Sequence, residues 1–199
     1  VALAERLFPA QHGATLAEEA IAFLPPWFTV RRLYEESVGW PGSTELTKQS
    51  ARDSINAGFG IVHHVGHGYR NSMSVGNGTF SNADADAFVN GPRNSVCFAI
   101  NCSSASIDFN AIGERFVKNP NGGSIAYIGT SRNAFASPAR TYQNEWYATV
   151  FQDSVRGLGM ATDMARAILI PQSIFESLQR FQLLSTSLNG EPAAELYTN

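Results

Sequence analysis

Apolar positions along the chain follow two rhythms. Three short runs, Gly60–Val65 (GIVHHV), Ser95–Asn101 (SVCFAIN) and Gly123–Gly129 (GSIAYIG), are apolar on both faces over several residues. That is how a parallel strand covered by helices on both sides reads. Val30–Tyr34 predicts a further short strand, and Val1–Glu5 the tail of another. Elsewhere the period is helical. Ala14–Leu24 (ATLAEEAIAFL) carries an apolar face and is stopped by Pro25-Pro26. Ser43–Ala57 predicts a helix capped by Ser43 or Thr44 and stopped near Gly58. Asn82–Val89 and Phe109–Val117 predict two short helices. A long one is predicted from Pro138 to about Arg156, with proline in the first turn, where a missing N–H costs nothing. Met160–Ile170 and Ser173–Leu184 predict the last two. Strand–helix alternation of this kind predicts a three-layer α/β/α sandwich with a mostly parallel sheet.

Length and composition add bounds. The 199 residues, 44% of them hydrophobic, suit a single domain over 1–199. A chain of this size buries roughly 70% of its unfolded surface and needs no disulfide staples. Fourteen basic against 17 acidic residues leave a net charge of -3, which argues against a nucleic-acid surface. No apolar stretch is long enough to span a bilayer. There is no signal peptide, and a start at Val1 rather than Met reads as a piece of a longer precursor. The two cysteines, Cys97 and Cys102, lie five residues apart in one predicted strand, so they are expected to face opposite sides and stay unbridged.

Ligands of an open parallel sheet bind outside the carboxyl ends of its strands. The first strong strand is followed by Gly66-His67-Gly68-Tyr69, the second ends in Asn101-Cys102, and the third is followed by Thr130-Ser131-Arg132. Consecutive parallel strands are often neighbours, so His67 and Cys102 are expected to face one cleft. A thiol is intrinsically nucleophilic, but a reference pKa of about 8.5 leaves only a few per cent as thiolate at neutral pH. A nearby imidazole can raise that fraction or carry a proton to a leaving amine. A helix starting just after Cys102 would favour the thiolate through its dipole. An oxyanion needs donors, and the N–H groups of Gly68 and Cys102 are candidates. Ser131 and Asn101 are candidates to line the substrate. Cys97 is assigned to the core; of His63 and His64, one packs and the other faces a helix layer.

These residues resemble the gingipain family of cysteine peptidases, in the clan that includes caspases, legumains and clostripain. The shared signature is a hydrophobic strand ending in His-Gly and a second ending in the catalytic Cys, here IVHHVGHG and VCFAINC. INAGFGIVHHVGHG, NPNGGSIAYIGTSRNAFASPAR and the closing SLNGEPAAELYT extend the likeness over most of the chain. The resemblance implies a caspase-like fold and a cysteine endopeptidase acting through a Cys102 thioester, with His67 as acid/base. It places Phe135 beside the primary specificity pocket, although ordinary packing at a helix entry explains an aromatic there equally well. It makes Glu5 a candidate catalytic helper. It further implies protein or peptide substrates, a secreted or cell-surface location, and flanking pro- and C-terminal domains. No cofactor is required; calcium is admitted as a structural ion.

The sequence departs from the family in two places. Arginine-specific members carry an acidic residue between first strand and first helix, whereas Phe8–Leu16 (FPAQHGATL) has no carboxylate. A buried cationic side chain without a counter-charge is costly, so an apolar or small substrate residue is as well suited as arginine. Asn101, just before the nucleophile, is the second departure. One rival reading is a catalytically silent caspase-like module used for binding or assembly. A metal site using His63, His64 and His67 is disfavoured, because residues 63 and 67 of an extended strand lie ~13 Å apart.

Overall fold

The computed structural model describes residues 1–196. In chain order the elements are β1 (Ala2–Ala4), β2 (Arg6–Phe8), β3 (Gln11–His12), α1 (Gly13–Ile21), β4 (Arg32–Tyr34), β5 (Ser43–Glu45) and α2 (Lys48–Ala57). Next come β6 (Ile61–Val65), β7 (Gly68–Tyr69), β8 (Ser72–Val75), β9 (Gly78–Ser81), α3 (Asn82–Asp86) and β10 (Ser95–Ile100). The chain continues through α4 (Ile112–Lys118), β11 (Ser124–Thr130), α5 (Ala136–Phe151), α6 (Leu158–Ser173), α7 (Ser177–Ser185) and β12 (Thr186–Gly190). One sheet runs β12-β11-β10-β6-β1-β4-β5, parallel throughout except for the antiparallel edge strand β12. A small antiparallel sheet, β7-β8-β9, is built after β6.

Alternation along the strands sorts the layers. In β10, Val96, Phe98 and Ile100 point into one core with α1, α5, α6 and α7. Cys97 and Ala99 point into the other, with residues of α2, α3, α4 and the β8–β9 hairpin. Both faces of β6 and β10 are buried, so these strands must be apolar on both sides. The expected three-layer α/β/α sandwich is the fold observed.

Several boundaries differ from the sequence expectation. Ser43–Glu45 is an edge strand paired with β4, not the start of a helix. The helix cap is instead Thr47, whose hydroxyl accepts the Ser50 N–H at 3.0 Å while the Ser50 hydroxyl accepts the Thr47 N–H at 2.9 Å. Pairing with Arg32–Tyr34 and burial of Leu46 outweigh the helical pattern there. Val1–Glu5 supplies an interior strand: β1 lies between β4 and β6. The helix expected from Phe109 begins at Ile112, and α6 continues through Pro171 to Ser173.

Candidate active site

The chain runs from β1 outward to β4 and β5, then returns to β6 on the other side of β1 and continues to β10 and β11. The connection order therefore reverses between β1 and β6, and the carboxyl ends at such a reversal form the binding crevice of an open α/β sheet. Glu5 follows β1, Gly66-His67 follow β6, and Asn101-Cys102 follow β10, the next strand over.

The β6–β10 ladder runs one step past the strands, with the Gly66 N–H on the Ile100 carbonyl at 3.0 Å. His67 and Cys102 thus leave the sheet side by side. The His67 N–H donates to Glu5 Oε2 at 3.0 Å, and the Gly76 N–H donates to Glu5 Oε1 at 2.9 Å. Glu5 is buried; burial pushes its carboxyl above the ordinary value, against the pull of these two N–H groups. Gly66 has to be glycine, because a methyl there would stand 2.3 Å from Glu5 Oε2 and 3.0 Å from His64 Cε1. The His67 ring is exposed, with Nε2 3.2 Å from the Arg6 carbonyl. A carbonyl only accepts, so Nε2 carries the proton and Nδ1 is the basic nitrogen of the neutral ring.

Gly68 is paired opposite Met73 in the β7–β8 hairpin. One step earlier the Ser74 N–H donates to the His67 carbonyl at 3.0 Å. Antiparallel pairs alternate between bonded and non-bonded positions, so Gly68 is non-bonded and its N–H points away from β8. A side chain at Gly68 would meet Asn101 Cγ at 2.9 Å.

Cys102 is half-buried at the head of a tight loop. Ser103 has φ 56, a left-handed conformation that costs a non-glycine residue about 1 kcal/mol or more. The loop is tied to the end of β11: the Ser103 N–H donates to the Arg132 carbonyl at 2.7 Å and the Ala105 N–H to the Thr130 carbonyl at 3.0 Å. Cys102 Sγ accepts the Ala134 N–H at 3.4 Å. The Cys102 N–H has no hydrogen-bond partner among the described residues. No helix follows Cys102 directly; α4 starts ten residues on, so the expected dipole effect has no source. Thiol and imidazole each contact backbone rather than each other.

The remaining predicted residues fall into two groups. Phe135 is exposed at the N-cap of α5, one residue from the Ala134 that holds the thiol, and its ring meets Phe181 edge-on at 5.9 Å. The side chains of Asn101 and Ser131, by contrast, are engaged by the protein itself. Asn101 is buried. The Ser131 N–H and hydroxyl both donate to the Ser185 carbonyl, at 2.8 and 3.1 Å. Glu5 supports the backbone of His67 rather than bonding its ring. Cys97 and Cys102 are both free thiols; burial pushes that of Cys97 far up. His63 packs between Phe98 and Tyr147, and His64 bonds Ser74 on the opposite face.

Sequence reasoning missed the Ala134 N–H on the thiol and the buried polar chain under Asn101, since both depend on tertiary contacts. It also missed two carboxylates that reach the Phe8–Leu16 region from another segment. Glu35 accepts the Arg6 N–H at 2.7 Å, while Glu36 bridges Arg6 and His12 at 3.1 and 2.8 Å. Among the described residues no group of three or more His, Cys, Asp or Glu side chains could hold a metal ion.

Fold and site layout define a caspase-like α/β/α domain with a cysteine and a histidine at the carboxyl ends of adjacent strands. Peptidase family C25 is matched over residues 4–197, and the chain belongs to that family. The structure is similar to that of the Arg-specific cysteine proteinase gingipain R (RgpB), with 15% identity and a TM-score of 0.77, covering 99% of this chain and 47% of that one. The complex of the Porphyromonas gingivalis RgpB pro- and mature domains matches at 15% identity and TM-score 0.77, covering 99% of this chain and 48% of that one. A structure described as a protease matches at 13% identity and TM-score 0.72, covering 99% and 48%. The chain spans about half the length of these solved relatives. No curated protein matches it. Among the described residues no helix is long and apolar enough to cross a membrane.

Proposed function

We propose that this chain is the catalytic domain of a cysteine endopeptidase, with Cys102 as nucleophile and His67 as its acid/base. The observation that carries this is the side-by-side exit of His67 and Cys102 from β6 and β10 in a member of peptidase family C25. His67 takes the proton of the thiol and sulfur attacks the scissile carbonyl. The oxygen of that carbonyl becomes an oxyanion. The Cys102 N–H, without a protein partner, and the Gly68 N–H, turned away from its hairpin, are the donors proposed to receive it. Each such donor is worth about 10²–10³ in rate. The tetrahedral species collapses, the C–N bond breaks, and His67 protonates the departing amine. Water then attacks the thioester, passes a proton to His67, and releases the new carboxyl group and the thiol.

The preferred residue before the cleaved bond follows from the cleft's edge. The exposed Phe135 ring suits an apolar side chain. Of the two carboxylates beside the Phe8–Leu16 region, Glu36 is already paired with the Arg6 guanidinium and with His12, while Glu35 accepts the Arg6 backbone N–H. One solved relative is a complex of pro- and mature domains. By that likeness the full precursor is proposed to carry flanking domains and to act outside the cell.

The test is turnover of a fluorogenic peptide library by wild type and Cys102→Ala. Hydrolysis lost in the variant at an unchanged unfolding midpoint is expected. Undiminished hydrolysis by the variant contradicts the reading. A folded wild type that binds peptides and cleaves none favours the silent module instead.

A further inference from the structure

Under Cys102 a chain of buried hydrogen bonds has its direction fixed at every link. Its far end is the backbone: the Ser74 carbonyl lies 2.8 Å from His64 Nε2. A carbonyl only accepts, so Nε2 carries the imidazole proton and Nδ1 must accept in a neutral ring. The Asn101 amide lies 3.2 Å from Nδ1, so its Nδ2–H donates there. Asn101 Oδ1 then accepts from the Ser104 hydroxyl, and the Ser104 oxygen accepts from the Tyr127 O–H at 2.8 Å. On the other side of Ser74, its N–H donates to the carbonyl of His67 at 3.0 Å. The sequence of donors is Tyr127, Ser104, Asn101, His64, ending on the Ser74 carbonyl; the N–H of the same residue, in the preceding peptide group, holds the His67 carbonyl. His64, Asn101, Ser104 and Tyr127 are all buried.

The chain touches both ends of the proposed catalytic pair. Asn101 precedes Cys102, and its own carbonyl is fixed by the Thr130 hydroxyl at 2.6 Å. Ser104 lies next to Ser103, whose left-handed backbone turns the cysteine out of the strand. At the other end, the Ser74–His67 bond sets the backbone of the histidine. We propose that His64 and Asn101 are positioning residues that set Cys102 and His67 in register through this one-directional chain. The inference rests on the peptidase reading above. It also gives Asn101 a purpose: an amide, unlike an ionised carboxylate or an apolar group, can donate to His64 while accepting from Ser104.

The direction survives only while His64 is neutral. Burial holds its imidazole down at about 4, so Nδ1 stays an acceptor at ordinary pH. The titratable groups around it are few. Glu5, just after β1, reaches the same glycine, Gly66, and is engaged by two N–H groups. His63 precedes it on the opposite face, His67 lies beyond Gly66, and Tyr127 sits past Asn101 with a phenol raised far by burial.

The experiment compares kcat, KM and the pH profile of kcat for wild type, Asn101→Ala, Asn101→Asp, His64→Gln and His64→Leu. Melting curves are taken for each. Asn101→Ala is expected to lower kcat about ten- to hundredfold with KM within about twofold, as small misplacements of reacting groups do. Asn101→Asp is the sharper variant. Two acceptors then face each other unless an extra proton is held between the new carboxyl and Nδ1. Its kcat should fall as pH rises through the titration of that pair, a limb absent from wild type. His64→Gln, which can both donate and accept, should retain far more kcat than His64→Leu. If Asn101→Ala does not fold, the Asn101→Asp profile and the His64 pair decide. Wild-type turnover that depends on Cys102, together with an Asn101→Asp profile matching wild type, overturns the positioning inference and leaves the peptidase reading intact. Absence of Cys102-dependent turnover in wild type overturns both.

Discussion

Two adjacent buried histidines make the fold acid-sensitive. His63 lies between the rings of Phe98 and Tyr147, at centroid distances of 5.6 and 5.4 Å; among the described residues neither ring nitrogen makes a hydrogen bond of good geometry, Gln143 being its one polar neighbour that favours the charged form. Burial first, and the neighbouring His64 second, hold it down at about 3; burial chiefly holds His64 at about 4. In the unfolded chain both revert to about 6.5. The sign is fixed by this order. Above pH 6.5 both states are neutral and nothing changes. As pH falls below 6.5 the unfolded chain takes up protons that the fold excludes, so stability falls until the folded values are reached. At pH 5 each histidine has cost about 2 kcal/mol, about 4 for the pair, against a total stability of about 5–15 kcal/mol. With an m-value of about 2 kcal/mol/M, the urea midpoint should drop by about 2 M between pH 7 and pH 5. Trp146, fully buried, reports the transition by fluorescence. Glu5 works the other way, because its raised carboxyl takes up a proton more readily folded than unfolded. His63→Phe separates the two effects. It keeps a ring between Phe98 and Tyr147 while removing one titration, and should recover about half of the histidines' share of the acid loss. His63→Leu serves if the larger ring overpacks. A midpoint unchanged from pH 7 to 5, or the same acid loss in wild type and both variants, refutes the reasoning.

Three further outcomes follow from the site. Cys97→Ala should cost about 1–2 kcal/mol by urea unfolding and leave kcat unchanged, since its thiol is wholly in the core; loss of activity at constant stability would reassign it. Glu5→Gln presents an amide NH₂ to one of two backbone N–H groups. It should cost about 1–3 kcal/mol and lower kcat through the His67 backbone, measured by melting and turnover. Gly66→Ala drives a methyl to 2.3 Å from Glu5 Oε2 and should destabilise by about 1–3 kcal/mol, with kcat falling alongside.

The central sheet was legible because burial on both faces makes β6, β10 and most of β11 largely apolar, with His63 and His64 the polar exceptions in β6. The helices that cover them show the complementary period. Strands set by pairing rather than by apolar content were not legible. Ser43–Glu45 is polar and exposed at an edge, and β12 is held by its register on β11 and by few buried side chains of its own. The β8–β9 hairpin does alternate, with Met73, Val75 and Phe80 buried and Gly76 at φ 61 in its turn, but the segment is short and serine-rich. At the site, the strand-end rule expected His67 and Cys102 side by side, and strand order alone brings them there. It did not show that Asn101 turns beneath the strand ends and that the Ser131 hydroxyl bonds the Ser185 carbonyl, because a residue beside a cleft can point beneath it as easily as into it. The Glu5 contact joins groups 62 residues apart, and no local pattern encodes it.

The most direct test of the proposed nucleophile is covalent capture. Wild type and Cys102→Ala are treated with a peptidyl acyloxymethyl ketone library, and the modified residue is mapped by mass spectrometry. The account predicts one adduct per wild-type chain, on Cys102, strongest for peptides with an apolar residue at the reacting end, and none on the variant. Equal labelling of the variant, or no peptide capture by a wild type whose Cys102 still reacts with a small alkylating agent, would contradict it.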